Sequence, residues 1–175
     1  MTNLNNRFVS NRVFRINVGF LLHGDAGTSR DFNYDLPQMR LTDDVVLSDL
    51  RGTVRLTRTA RGILTQARME AGTETECVRC LDRYNLRLDF EVEELFVYPP
   101  TPEAEWNVAD DGVLDLAPLI RAEVIVHTPI GAVCRSDCRG LCPECGHNLN
   151  EGPCGCERDR VDPRLAILKD LRREN

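Results

Sequence analysis

The sequence predicts an α+β fold, mainly an antiparallel β meander, with two helices and a cysteine-rich metal-binding module. Three observations carry this. Residues 52–97 alternate apolar and polar side chains at period two, which is the mark of strands with one buried and one wet face. Residues 115–127 place Leu116, Leu119, Ile120 and Val124 at helical spacing. Eight cysteines fall in close groups, six of them between Cys134 and Cys156.

The elements follow in chain order. Val13, Phe14, Ile16, Val18, Phe20, Leu21 and Leu22 mix two periods, so this stretch reads as a strand passing into a short helix, stopped by Gly24 to Gly27. Phe32, Tyr34 and Leu36 alternate in a strand from Ser29, which Pro37 should end. Val54 and Leu56, then Ile63, Thr65, Ala67 and Met69, form a hairpin about an Arg61-Gly62 turn. Tyr84, Leu86, Leu88, Phe90 and Val92 face one side of the next strand, so the second bend of the meander carries Cys77 and Cys80. Pro99 to Gly112 is an acidic surface loop holding the single tryptophan, Trp106. Asp115 is placed to cap a helix to about His127, with Pro118 in its first turn. Asp162-Pro163 opens a last helix with a narrow stripe of Leu165, Leu168 and Leu171. Two domains result: residues 1–128, β-rich with the acidic loop and helix, and residues 129–175, the cysteine module with its terminal helix.

A chain of 175 residues, 42% hydrophobic and 29% charged, has the composition of a globular protein. It contains no run of about 20 apolar residues that would cross a bilayer. Residues 1–11 show no apolar segment of a secretory signal, so the cytoplasm is the expected compartment. In a reducing compartment, Cys-x-x-Cys spacings favour metal over disulfides. The net charge of −6 is uneven: residues 1–70 hold ten Arg against seven acids, 71–133 four against thirteen, and 134–175 eight cations against eight acids. The acidic middle opposes nucleic-acid binding by the whole surface, but a local basic face remains open.

The cysteines read C77-x2-C80, then C134-x3-C138-x3-C142-x2-C145-x8-C154-x-C156. Zn²⁺ takes four tetrahedral ligands, and a Cys-x-x-Cys turn brings two thiolates to one ion while its amides point at the sulfurs. Gly146 permits the positive φ that turns the chain back after Cys145. One reading has two closed sites, Cys142, Cys145, Cys154 and Cys156 in one and Cys77, Cys80, Cys134 and Cys138 in the other. The rival has a single C-terminal site, with Cys77 and Cys80 as free thiols or a labile disulfide. A third has no metal. His147 adjoins the knuckle and reads as a surface residue.

No nucleophile elbow, phosphate-binding loop, dinucleotide fingerprint or His-Glu-x-x-His occurs, so no catalytic constellation and no small-molecule substrate are expected. Cys77-Val78-Arg79-Cys80 lies in a hairpin bend and not at a helix start, which disfavours thioredoxin-like chemistry. Arg51, Arg55, Arg58, Arg61 and Arg68 occupy a stretch with no acid between Asp49 and Glu70. This stripe is either a phosphate-binding face or an ordinary solvated sheet surface.

Gly52 to Arg58, the Cys-Val-Arg-Cys-Leu turn at 77–81, Asp115 to Arg121, the block Asp137-Cys138-Arg139-Gly140-Leu141-Cys142-Pro143-Glu144-Cys145-Gly146-His147-Asn148-Leu149-Asn150 and the closing Asp162-Pro163-Arg164-Leu165 together resemble the YceD family. These are the large ribosomal RNA accumulation proteins of bacteria and plastids. The resemblance implies a non-enzymatic factor for accumulation of the large-subunit RNA, acting in ribosome assembly, with ribosomal RNA or an assembly intermediate as partner; it does not say which cysteines hold metal. Taken with the cysteine spacing, the reading is of a factor in which zinc shapes a docking surface. The alternatives are a zinc-stabilised module that holds a basic ribosomal protein without touching RNA, and a thiol oxidoreductase using Cys77 and Cys80.

Overall fold

In the computed structural model the described residues are 9–156. The expected helix after Asp162 lies outside them. The main sheet has the order β1-β3-β4-β5-β6, where β1 is Val9–Ser10, β3 is Ser29–Arg40, β4 is Val46–Thr59, β5 is Gly62–Glu76 and β6 is Arg83–Val97. Strands β3 to β6 form the antiparallel meander, and the two-residue β1 adds in parallel at the edge. A small antiparallel sheet pairs β2 (Arg15–Asn17) with β7 (Val113–Asp115), and a 3-10 turn at Asn11–Phe14 and helices α1 (Gly19–Leu22) and α2 (Ala117–His127) accompany them.

One face of the large sheet is buried. Leu47, Leu50, Val54 and Leu56 of β4, Ile63 and Met69 of β5, and Leu88, Phe90, Val92 and Phe96 of β6 belong to one apolar cluster. Phe14, Ile16, Val18 and Leu21 cover it from the N-terminal segment, and Leu119, Ile120 and Val124 cover it from α2. The sheet is therefore a single layer roofed on one side. Leu116, Leu119, Ile120 and Val124 are buried, as their helical spacing requires.

Three local expectations are corrected. Strand β3 does not stop at Pro37 but continues to Arg40. Among the described residues its outer side is paired only at Met39 and Arg40, and opposite Pro37 stands Asp49 with a φ of 48°, where the β4 to β5 register slips. The missing amide thus falls at an irregular edge position. The same irregularity moves the inward parity from Phe32, Tyr34 and Leu36 to Met39 in β3, and from Leu50, Val54 and Leu56 to Leu47 in β4.

The first hairpin turns at Ala60-Arg61, one residue earlier than expected, because Thr59 pairs with Gly62. Gly62 opens β5 at a φ of 151°, and a side chain there would overlap the Phe96 carbonyl of β6. Asp115 closes β7 and does not itself occupy the cap position. Leu116 does, while the Asp115 carboxylate accepts the Ala117 amide at 3.0 Å.

The loop 98–112 is partly built in. Val108 is fully buried and Trp106 lies 5.9 Å from Phe96 between ring centroids.

Candidate metal centres

The β5 to β6 bend spans 77–82, and the chain leaving α2 comes back to it. The amide of Val78 donates to Ala132 O at 3.0 Å, which brings Cys134 and Cys138 to the bend. Cys77, Cys80, Cys134 and Cys138 then form one group of sulfurs, all within 4.8 Å of one another. Cys142, Cys145, Cys154 and Cys156 form a second group under the same limit. All eight are free thiols, and the 3.8 Å from Cys77 Sγ to Cys138 Sγ and the 3.7 Å from Cys80 Sγ to Cys134 Sγ are far longer than a disulfide bond. Four thiols gathered in this way can hold one metal ion. His147 is exposed and stands outside both groups.

The two Cys-x-x-Cys turns are copies of one six-residue device. In the first, Cys77 N donates to Asp82 O at 2.9 Å and Leu81 N to Cys77 O at 2.9 Å. In the second, Cys142 N donates to His147 O at 2.8 Å and Gly146 N to Cys142 O at 2.9 Å. The residue after each second cysteine has a positive φ, 62° at Leu81 and 72° at Gly146. Glycine accepts this conformation readily, whereas leucine is strained by it. The second position was legible in the sequence. Leu81 was not, since a leucine after a cysteine announces no turn.

Each turn aims amides at its first sulfur. Burial alone would push the Cys77 thiol up, but the amides of Cys134, Cys80 and Arg79 outweigh it and bring the pKa down to about 6. The amides of Cys145 and Glu144 bring Cys142 down to about 6 as well. The Asn150 side chain, donating to Cys138 Sγ at 3.4 Å, draws the Cys138 thiol below its ordinary value. Cys77, Cys138 and Cys142 are thus drawn toward thiolate, the ligand form, whereas burial pushes the Cys134 thiol up, the neighbouring Cys145 sulfur pushes Cys156 up, and Cys80 is raised as well.

The groups are stitched together. Leu141 N donates to Arg79 O at 3.0 Å, Leu149 N to Gly140 O at 2.9 Å, and Asn148 Nδ2 to Asp82 Oδ2 at 3.0 Å. Arg79 gives its guanidinium to Cys138 O at 3.2 Å. Cys77 is fully buried and Cys80 is 3% exposed, so neither offers the accessible thiolate that disulfide exchange needs.

The arginine stripe lies on the wet sheet face, as the alternation requires, but it is not free. Arg55 makes a two-point pair with Asp31 at 2.7 and 2.8 Å, Arg51 pairs with Asp35 at 3.3 Å, and Arg68 bonds Glu91 at 2.8 Å. Each partner is the residue directly across the ladder. Arg58 turns inward to the carbonyls of Thr59 and Gly62. Arg61 is exposed at the hairpin turn. The sequence hid these pairs because the acids lie 16 to 24 residues away.

Among the described residues no helix is long and apolar enough to cross a membrane.

No solved structure matches the chain. An uncharacterized protein of Mycobacterium tuberculosis is 35% identical over 135 residues, covering 74% of this chain and 64% of the relative. One of Mycobacterium leprae is 36% identical over 124 residues, covering 67% and 57%. The chain thus spans less than two-thirds of the length of these relatives. The chloroplastic large ribosomal RNA subunit accumulation protein YCED homolog 1 of Arabidopsis thaliana is 38% identical over 61 residues, which are 35% of this chain and 19% of that protein. The family model described as large ribosomal RNA subunit accumulation protein YceD matches residues 65–172, a span that takes in both Cys-x-x-Cys turns and all eight sulfurs, and the chain belongs to that family.

Proposed function

We propose that the chain is a non-catalytic cytoplasmic factor for accumulation of the large-subunit ribosomal RNA during assembly, and that two structural zinc ions hold its working end in shape. The carrying observation is the pair of all-cysteine tetrads. A Zn–S bond of about 2.3 Å implies a tetrahedral edge of about 3.8 Å, and the two measured contacts of the first group are 3.8 and 3.7 Å. Four protein ligands leave no open position for substrate or water, so such sites are structural and not hydrolytic. Cys77, Cys80, Cys134 and Cys138 would hold one ion, and Cys142, Cys145, Cys154 and Cys156 the other. Bound zinc supplies cross-linking strength, on the order of 10 kcal/mol per structural site. The ribosomal role comes from the family description and from the printed name of the Arabidopsis relative.

The test is genetic. Cells lacking the protein should show a lowered ratio of large-subunit to small-subunit RNA, restored by the wild-type chain and not by a Cys77→Ser, Cys142→Ser variant. An unchanged ratio contradicts the reading.

Of the expected stripe Arg51, Arg55, Arg58 and Arg61, RNA contact through Arg51, Arg55 and Arg61 forms part of this proposal. Exposed ion pairs contribute little, so Arg51 and Arg55 can exchange their aspartates for phosphate. Arg58 is bound to the hairpin turn, which leaves Arg51, Arg55 and Arg61 to test. Changing these three to Gln should weaken RNA binding and flatten its salt dependence, because each phosphate contact releases condensed counterion.

A second reading, capture of a basic ribosomal protein, is favoured by the same ladder pairs, which balance the arginines. The acidic segment 89–115, which holds no Arg or Lys, would then be the working face, meeting a basic partner. Wild-type RNA affinity in the Gln variant would select it.

A further inference from the structure

The segment between the two cysteine pairs of the second group reaches into the first. Asn150 follows Cys145 by five residues and precedes Cys154 by four, so it sits inside the loop that an ion on the second tetrad would close. Its side chain serves the first tetrad instead: Nδ2 donates to Cys138 Sγ at 3.4 Å, and Oδ1 accepts the Arg139 amide at 2.9 Å. Hydrogen bonds of its immediate neighbours seat the residue. Its backbone amide donates to Asn148 Oδ1 at 3.1 Å, its Nδ2 to the same oxygen at 2.9 Å, and Leu149 N bonds Gly140 O at 2.9 Å.

We propose that Asn150 is a positioning residue for the first metal site, and that through it metal in the second site tightens metal in the first. An amide N–H pointed at a sulfur stabilises the thiolate that binds metal. Closing the 142–156 loop fixes the backbone of Asn150 and so fixes that donor. Coupling of this kind is reciprocal, so metal at the first site tightens the second by the same factor. The inference rests on the reading of both tetrads as metal sites.

The experiment uses the full chain loaded with cadmium, whose NMR resonances report each tetrathiolate site separately, while a competing chelator is titrated in. Asn150→Asp keeps the acceptor for Arg139 N–H and deletes the donor to Cys138. First-site affinity should fall on the order of tenfold, with the second site following only through the coupling. Asn150→Ala should give the same first-site loss, which separates the missing donor from the added carboxylate. Cys145→Ser, which opens the second site, should lower first-site affinity by a similar factor, and combining it with Asn150→Asp should add nothing further. Backbone amide spectra of β4, β5 and β6 check that each variant keeps the sheet. Unchanged first-site affinity in Asn150→Asp, in Cys145→Ser, or multiplying losses in the double variant would overturn the proposal. A wild-type chain that takes up no cadmium at either group sinks the metal reading itself, and this coupling with it.

Discussion

Leu81 and Gly146 do the same job with different side chains, and the difference is measurable. Both turn the chain back after the second cysteine of a knuckle, at φ of 62° and 72°. A non-glycine residue in the left-handed region is strained by about 1 kcal/mol or more. Gly146→Ala, for which a Cβ meets open space, should therefore lose about that much stability through the backbone alone. Leu81→Gly should be neutral or stabilising, since relief of strain offsets the freedom glycine adds to the unfolded chain. Thermal unfolding of the metal-loaded chain compares the two. A clear loss in Leu81→Gly would mean that its half-exposed side chain makes a needed contact.

Among the elements, the first hairpin depends on Gly62, where β5 begins against the Phe96 carbonyl. Gly62→Ala should cost several kcal/mol, in the range of changes that force backbone apart. Denaturant titration measures this, and a loss below about 1 kcal/mol contradicts the register. Helix α2 is fastened to the β3 to β4 loop by Arg121 and Asp44. The hydrogen bond from Arg121 holds the Asp44 carboxyl well below its usual range, with Thr42 adding to it. A carboxyl depressed in the folded state stabilises above its unfolded pKa of about 3.9 and loses that effect as pH falls further. Asp44→Asn should thus lower the melting temperature slightly at pH 7, and the gap should close on acidification below about pH 4. A gap that persists in acid would point to packing in place of charge.

The alternation of 52–97 made these strands legible, because one face is wet and the other buried along their length. Pro37 misled, since its effect depends on a bulge at Asp49 that no local residue type announces. The role of Asn150 was equally hidden: it stands in the block that carries the family resemblance, but its sulfur contact exists only once two distant cysteine groups meet.

For the whole molecule, eight sulfurs at two points decide how the segment after α2 is held. The β meander has its own cluster of buried side chains, and residues 134–156 contribute none to it. Of these, Cys134 and Cys138 pack with Cys77, Cys80 and Tyr84 in a separate small cluster. Chelation should therefore release the 134–156 segment to rapid amide exchange while β4, β5 and β6 stay protected. Uniform loss of protection would show that the sheet needs the metal as well. The most direct test of the account is the metal content of the chain purified under reducing conditions and weighed intact by native mass spectrometry. The account predicts close to two zinc ions per chain, falling to one in Cys142→Ser. A cooperatively folded wild-type chain carrying no metal would contradict it.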